Sequence, residues 1–160
     1  MEDLLRRIYN SKDASAILKT ASDVCSVIGA LAFLLMLAFI ALLDPMLALK
    51  FAVCAAVPFV IVTLVRMLIN APRPYEVYSF YERKPKQKSG QSFPSRHVFS
   101  AFVIATLAWA LSPVLSLILV LVGVILAVSR VLLGMHFVID VVAGGLIGIL
   151  SGIIGILIVI

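Results

Sequence analysis

From Val24 to Leu43 the chain runs almost without interruption through Ala, Leu, Ile, Val, Phe and Met. A run of about 20 such residues matches the helix needed to cross roughly 30 Å of hydrocarbon. Comparable runs span approximately 46–69, 94–111, 114–133 and 136 to the C-terminus. A soluble core has no room for them all. Of the 160 residues, 63% are hydrophobic and 13% charged, against about 45–50% and 25% in ordinary globular domains. The expected fold class is therefore all-α, a polytopic membrane helix bundle forming a single domain over 1–160. About five transmembrane helices are expected.

Turn chemistry separates the runs. Asp44-Pro45 and Ser112-Pro113 break the chain between helices, and Gly134 breaks it between the last two. Residues 70–93 form the one long polar connection. The stretch 1–23 is mixed: Leu4, Leu5, Ile8 and Tyr9 fall on one helical stripe, with Arg6, Arg7, Lys12 and Lys19 off it. Two readings fit this N-terminal segment, an amphipathic helix lying at the membrane surface or a short soluble tail. A signal peptide fits less well, because the apolar run starts late, is long and lacks a clear cleavage site. Cys25 and Cys54 lie inside apolar runs without metal-ligand spacing and read as small buried hydrophobes.

On the last helix Gly144, Gly148 and Gly152 recur every fourth residue, a spacing that lets helix backbones approach closely. Packing within the monomer is the first reading of this face, and a homodimer contact the second. No internal repeat of the transporter kind is present.

The net charge is +5, from 13 basic and 8 acidic residues. No nucleic-acid module is recognisable, and the basic residues sit at the ends of apolar runs, where lipid headgroups and phosphates lie. Alternating five helices across a bilayer puts every arginine and both histidines on one face. Only Asp44 and Lys50 remain on the other. Arg66 and Arg73 are seven apart and share a helical face if their helix persists to Pro72. Ser95, Arg96 and His97 open the third span, with Pro94 in its first turn, and a helix start favours an anion. Arg130 closes the fourth span. His136 and Asp140 open the fifth at i, i+4.

Arginines, a serine hydroxyl and free backbone amides make a cage for a tetrahedral oxyanion, most naturally phosphate. Two histidines beside it can divide the work of nucleophile and general acid, and a carboxylate near His136 can orient its ring. Each residue has a plainer use. Arg83, Lys84, Lys86 and Lys88 read as interfacial anchors, and Tyr75, Tyr78 and Tyr81 as an aromatic belt. A His-x-x-x-Asp pair can be a structural hydrogen bond. Two histidines and an aspartate could hold a metal, but the arginines around them favour an anion over a cation. Joint placement on one face carries the catalytic reading.

These residues fall into a known pattern. Arg66-x6-Arg73-Pro74, Pro94-Ser95-Arg96-His97 and Ser129-Arg130-x5-His136-x3-Asp140 resemble the three motifs of the type-2 phosphatidic acid phosphatase superfamily. These membrane lipid phosphatases are related in fold to vanadium-dependent haloperoxidases. The match spans roughly 66–140, in order and with correct spacing. Arg66 stands where the family has lysine, and Arg96 where it has glycine. The common bacterial form has six membrane helices, one more than expected here.

The resemblance implies a lipid phosphate phosphatase with no metal and no cofactor. His136 would be the phosphorus-attacking nucleophile, Asp140 its orienting partner and His97 the proton donor to the leaving alcohol. Arg66, Arg73, Ser95 and Arg130 would hold the phosphoryl group; at Arg96 the backbone N–H can still serve that phosphate, and the side chain must point aside or add another cation to the binding set. Expected partners are a lipid phosphate substrate of the phosphatidate, phosphatidylglycerophosphate or polyprenyl pyrophosphate class and the surrounding lipids. The alternative is a non-catalytic binder or carrier of anionic lipids. Expected localisation is a multi-pass protein of the cell membrane. The positive-inside rule places the site in the cytoplasm, whereas the resemblance implies the extracytoplasmic face.

Overall fold

The computed structural model describes residues 2–81 and 89–159. The anchors expected at Arg83, Lys84, Lys86 and Lys88 lie outside the described residues. The described chain forms seven helices: α1 Glu2–Asn10, α2 Lys12–Leu43, α3 Pro45–Ile69, α4 Pro74–Val77, α5 Arg96–Ala108, α6 Pro113–Leu132 and α7 Val138–Val159. Caps mark their starts. The Ser11 hydroxyl accepts from Ala14 N–H at 3.3 Å, the Asp44 carboxylate from Met46 and Leu47 N–H, and the Ser112 hydroxyl from Leu115 N–H. Proline follows at the first turn of α3 and α6, where its missing N–H costs nothing.

Four helices, α2, α3, α6 and α7, are long and apolar enough to cross a membrane. Their outward faces carry Leu42, Leu68, Leu121 and Leu157, all strongly exposed. So large an apolar surface suits hydrocarbon rather than water. The fifth expected span is α5, only 13 residues long, about 20 Å at 1.5 Å per residue. It sits against α2, α3, α6 and α7 at the centre of the bundle. A short helix suffices there because protein, not lipid, surrounds its ends.

Three local expectations are corrected. The N-terminal segment is not one interfacial unit, because only α1 is separate; residues 12–23 are the first turns of α2. That helix has 32 residues, about 48 Å, so its polar end projects past the hydrocarbon. α3 stops at Ile69, with Asn70 in the left-handed region at φ 45°, so the helix does not persist to Pro72. Pro94 lies ahead of α5 rather than in its first turn, and Ser95 is the residue that precedes the helix.

The glycine spacing on α7 serves contact with α5. A Cβ at Gly144 would come within 2.6 Å of the Ser95 carbonyl, and one at Gly148 within 2.6 Å of the Phe99 carbonyl. At Gly152 it would press on Thr106. The face considered for a homodimer is thus taken up by α5 inside one chain. Ser116 adds a hydrogen bond from its hydroxyl to the Ala105 carbonyl at 2.7 Å, tying α6 to α5. Below the polar end, Met36, Ile40, Phe51, Phe99, Val103 and Leu107 close the core.

Candidate active site

Five stretches far apart in sequence converge on one cavity of about 700 Å³ at the polar end of the bundle. Its wall includes Arg66, Arg73, Arg96, Arg130, His97 and His136. The volume falls in the range of pockets that hold a drug-sized ligand, so it exceeds what a phosphate alone would fill. Four of the chain's seven arginines and both histidines thus meet at one end of the bundle.

Each arginine is aimed by a different device. Arg66, 5% exposed near the end of α3, donates to the Pro94 carbonyl at 3.3 Å. Arg73 reaches the cavity from the connecting segment, not from the face of a continuing helix. Its Nε–H donates to the Gly90 carbonyl at 2.9 Å, and its guanidinium lies 5.8 Å from the Tyr75 ring. Arg130 donates to the Met135 sulfur and to the Ser26 hydroxyl, each at 3.4 Å, while its buried Nε has no partner among the described residues. Arg96 turns its guanidinium over the Phe59 ring at 5.6 Å. That contact answers how an arginine is accommodated at the motif's glycine position: the side chain lies aside against α3.

His136 precedes α7 rather than opening it. Asp140 sits in the first turn, and its Oδ2 accepts from the Phe137 N–H at 2.9 Å. A carboxylate three residues into a helix that reaches back to the residue before it is half of a capping box. The same oxygen lies 3.6 Å from His136 Nδ1. Ser92 fills the gap. Its hydroxyl donates to Asp140 Oδ2 and its oxygen lies 3.3 Å from His136 Nδ1. With Nδ1 turned to this pair, Nε2 is the ring atom left for the cavity.

Burial holds the His136 imidazole below its ordinary pKa, and the cations Arg73 and Arg66 push the same way. The Asp140 carboxylate opposes them. The net effect keeps the ring neutral at neutral pH, the state a nucleophile needs.

Ser95 is brought beside Asp140, whose carbonyl accepts its N–H at 3.0 Å. Its side chain is fully enclosed and is not part of the cavity wall. The hydroxyl neither caps α5 nor has a partner among the described residues. Among the described residues no three His, Cys, Asp or Glu side chains gather as a ligand set.

Several contributors escaped the sequence reading. Ser92, 0% exposed, has no spacing signal, since its partners lie 44 and 48 residues away. Glu76 ties the two halves of the connection together, accepting from Arg73 N–H, Gly90 N–H and the Ser89 hydroxyl. Its position three residues after Arg73 repeats the Phe137–Asp140 arrangement and was a readable signal. Gln91 lines the cavity with φ 54°, a strained conformation for a non-glycine residue. The tyrosines are not a belt. Tyr75 and Tyr81 line the cavity, and Tyr9 of α1 packs edge-on to Tyr81 at 4.9 Å. Tyr78 stacks on Phe80. Burial, with Tyr78 and Tyr9 nearby, pushes the Tyr81 hydroxyl up to about 12. It rests against Gly134, whose φ of 65° also favours glycine.

No curated protein sequence matches the chain. The crystal structure of LpxE from Aquifex aeolicus is similar, at 26% identity and a TM-score of 0.72, over 96% of this chain and 93% of that one. The crystal structure of a transmembrane PAP2-type phosphatidylglycerolphosphate phosphatase from Bacillus subtilis is also similar in fold. It has 19% identity and a TM-score of 0.57, over 98% and 91% of the two chains. The family model of the PAP2 superfamily matches residues 30–159, which include every residue of the three motifs, and on that extent of agreement the chain belongs to the PAP2 superfamily.

Proposed function

We propose that this membrane protein hydrolyses the terminal phosphate of a lipid phosphomonoester or lipid pyrophosphate through a phosphohistidine at His136. The observation that carries the proposal is the pairing of His136 Nδ1 with Ser92 and Asp140 on the wall of a cavity lined by four arginines. A neutral imidazole is held in one tautomer, and its free nitrogen is directed where an anion would bind.

In the first step Nε2 attacks phosphorus while the bond from phosphorus to the leaving oxygen breaks. His97 gives that oxygen a proton, releasing the lipid alcohol, or the lipid monophosphate from a pyrophosphate. In the second step His97, now neutral, takes a proton from water as the water oxygen attacks phosphorus. The N–P bond breaks, and inorganic phosphate and free His136 remain. Arg66, Arg73 and Arg130 hold the non-bridging oxygens throughout, supported by the amides at the start of α5. Preorganised charge of this kind supplies most of the rate in phosphoryl transfer. Arg96 completes the proposed phosphate-binding set through its backbone N–H, its guanidinium lying against Phe59. Ser95, enclosed behind the wall, serves it by fixing the start of α5 through its N–H bond to the Asp140 carbonyl.

Substrates of the phosphatidate, phosphatidylglycerophosphate and polyprenyl pyrophosphate classes all present the required group. The Bacillus subtilis neighbour is named for the second of them, though its low identity speaks only for the fold. Phosphate release from a small lipid panel in detergent, with chelator present, tests the proposal. Wild type should turn over at least one lipid. His136→Asn should lose on the order of 10³-fold or more while still binding that lipid. Binding of the panel without release by the wild type would make the chain a carrier of anionic lipids. Release that depends strictly on a divalent ion would overturn the mechanism.

A further inference from the structure

The motif residues occupy only part of the cavity wall. Another part comes from the first turns of α2, where Lys12, Ser15, Ala16, Lys19, Ser22 and Asp23 line the same space. Steps of three, four and seven put all six on one helical face. Short side chains at 15, 16 and 22 leave that face open, and the two lysines stand along it.

Charge decides what the face is for. Arg66, Arg73 and Arg130 already match the single phosphate dianion of the proposed mechanism, and Asp23 lies within electrostatic range of Arg130. Lys12 and Lys19 have no ion pair among the described residues. One bound phosphate leaves these two further cations with nothing to neutralise. Ser22 points the same way. It lines the cavity at 1% exposure, and its hydroxyl has no partner among the described residues. A buried hydroxyl without a partner is costly, and a bound oxyanion would supply one.

Register along α2 places this second anion. Ser26, one turn after Ser22, meets Arg130 at 3.4 Å. Lys19 is seven residues away from that contact, about 10 Å along the helix. The apolar run begins at Val24, so Lys19 stands about 8 Å outside the hydrocarbon, at the depth of lipid headgroups. Two phosphates that share a bridging oxygen would both fall to the arginines. A phosphate held off by a spacer reaches the lysines.

We infer that this face of α2 is a second anion subsite, and that the preferred substrate carries, besides the scissile phosphate, another phosphate separated from it by a polar spacer. The inference rests on the phosphatase reading above, which puts the scissile phosphate at the arginines.

Lys12→Gln/Lys19→Gln is the direct test. Both side chains are exposed, and glutamine is as good a helix former as lysine, so the fold is not at stake. Three dioleoyl substrates in neutral detergent micelles separate the cases. Phosphatidate has one phosphate, diacylglycerol pyrophosphate an adjoining pair, and phosphatidylglycerophosphate a pair spaced by glycerol. Wild type should favour the spaced pair over phosphatidate in kcat/KM. The ratio of the two should fall about tenfold in the double variant, chiefly through KM, and Lys12→Arg/Lys19→Arg should retain it. An unchanged ratio in the glutamine variant would overturn the inference. So would an equal fall on all three substrates, which would make the lysines general attractants for anionic lipid, or a fall confined to the pyrophosphate. A further arm adds phosphatidylglycerol to the micelles. Stimulation of wild type on phosphatidate, absent in the variant, would assign the subsite to a neighbouring lipid's phosphate and overturn the inference. Wild type inert on all three substrates is a separate result, sinking the phosphatase reading itself.

Discussion

The α5–α7 pair and α2 are both helices of one bundle, yet they are built on opposite terms. α7 presses Gly144 and Gly148 against backbone carbonyls at the start of α5 and Gly152 against Thr106, and Ser95 N–H bonds across to the Asp140 carbonyl. The two helices that bring His97 and the His136–Asp140 pair together are locked backbone to backbone. α2 meets its neighbours less closely, leaves an unfilled hollow at Gly29 and exposes Leu31, Leu34 and Leu35 outward. The contrast teaches how one bundle divides its packing: the side that carries the two imidazoles is held backbone to backbone, as precise placement of reacting groups would require, whereas the wall at Gly29 leaves room.

The largest effect expected from breaking the tight side is at the carboxylate. Asp140→Asn should reduce kcat by about 10³-fold, because the His136 ring loses the partner that sets its tautomer and stabilises its charged form. Its residual activity should carry a pH signature. In the proposed mechanism attack requires neutral His136, so kcat/KM should fall as pH drops through the histidine pKa. That pKa is already below its ordinary value of about 6.5. Removing the carboxylate, which raises it, should move the acid limb lower still. The substrate's own ionisation is common to both enzymes and cancels in the comparison. A limb that moves upward would show that another group controls it.

A smaller effect, on stability, sets the two glycine environments side by side. Gly148→Leu drives a Cβ against the Phe99 carbonyl, a backbone atom that cannot swing away. About 1–3 kcal/mol of destabilisation is expected, read as a lowered Tm in detergent. Gly29→Leu should show no such loss. Equal Tm changes in the two variants would erase the distinction drawn between these helices.

A change of similar size, read in rate rather than stability, is expected at Ser92→Ala. Losing one hydroxyl that bridges Asp140 and His136 costs about 1–3 kcal/mol where the partners stay buried, a fall in kcat of roughly ten- to a hundredfold. Rescue by Ser92→Thr, which keeps the hydroxyl, separates the hydrogen bond from packing.

How far the chain could be read in advance depended on the range of the interactions involved. Membrane embedding was legible because hydropathy is a local property of runs such as 24–43 and 114–133. So was the gathering of Arg66, Arg73, Arg96, Arg130, His97 and His136 at one end, since span length and alternation suffice to derive it. Boundaries at Asp44, Ser112 and Gly134 followed from turn and cap chemistry. The end of α3 at Ile69 and the start of α5 after Pro94 did not, because both are set by contacts with the connection they join. Arg73 was expected to share a helical face with Arg66, whereas α3 ends at Ile69 and the connecting segment brings Arg73 to the cavity wall.

By itself, then, the sequence determined that the protein is an α-helical membrane bundle with its cationic and imidazole groups at one polar end and three motifs of a phosphatase superfamily. Tertiary structure alone decided that Ser92 joins His136 to Asp140, that Glu76 clasps the loop, that Ser26 meets Arg130, and that Gly29 faces space while Gly148 faces backbone. The physical reason is one of distance along the chain. Hydropathy, caps and turns act over a few residues and leave a periodic trace, but a single hydroxyl meeting a carboxylate 48 residues away, or a glycine meeting nothing, is settled only when separate helices pack.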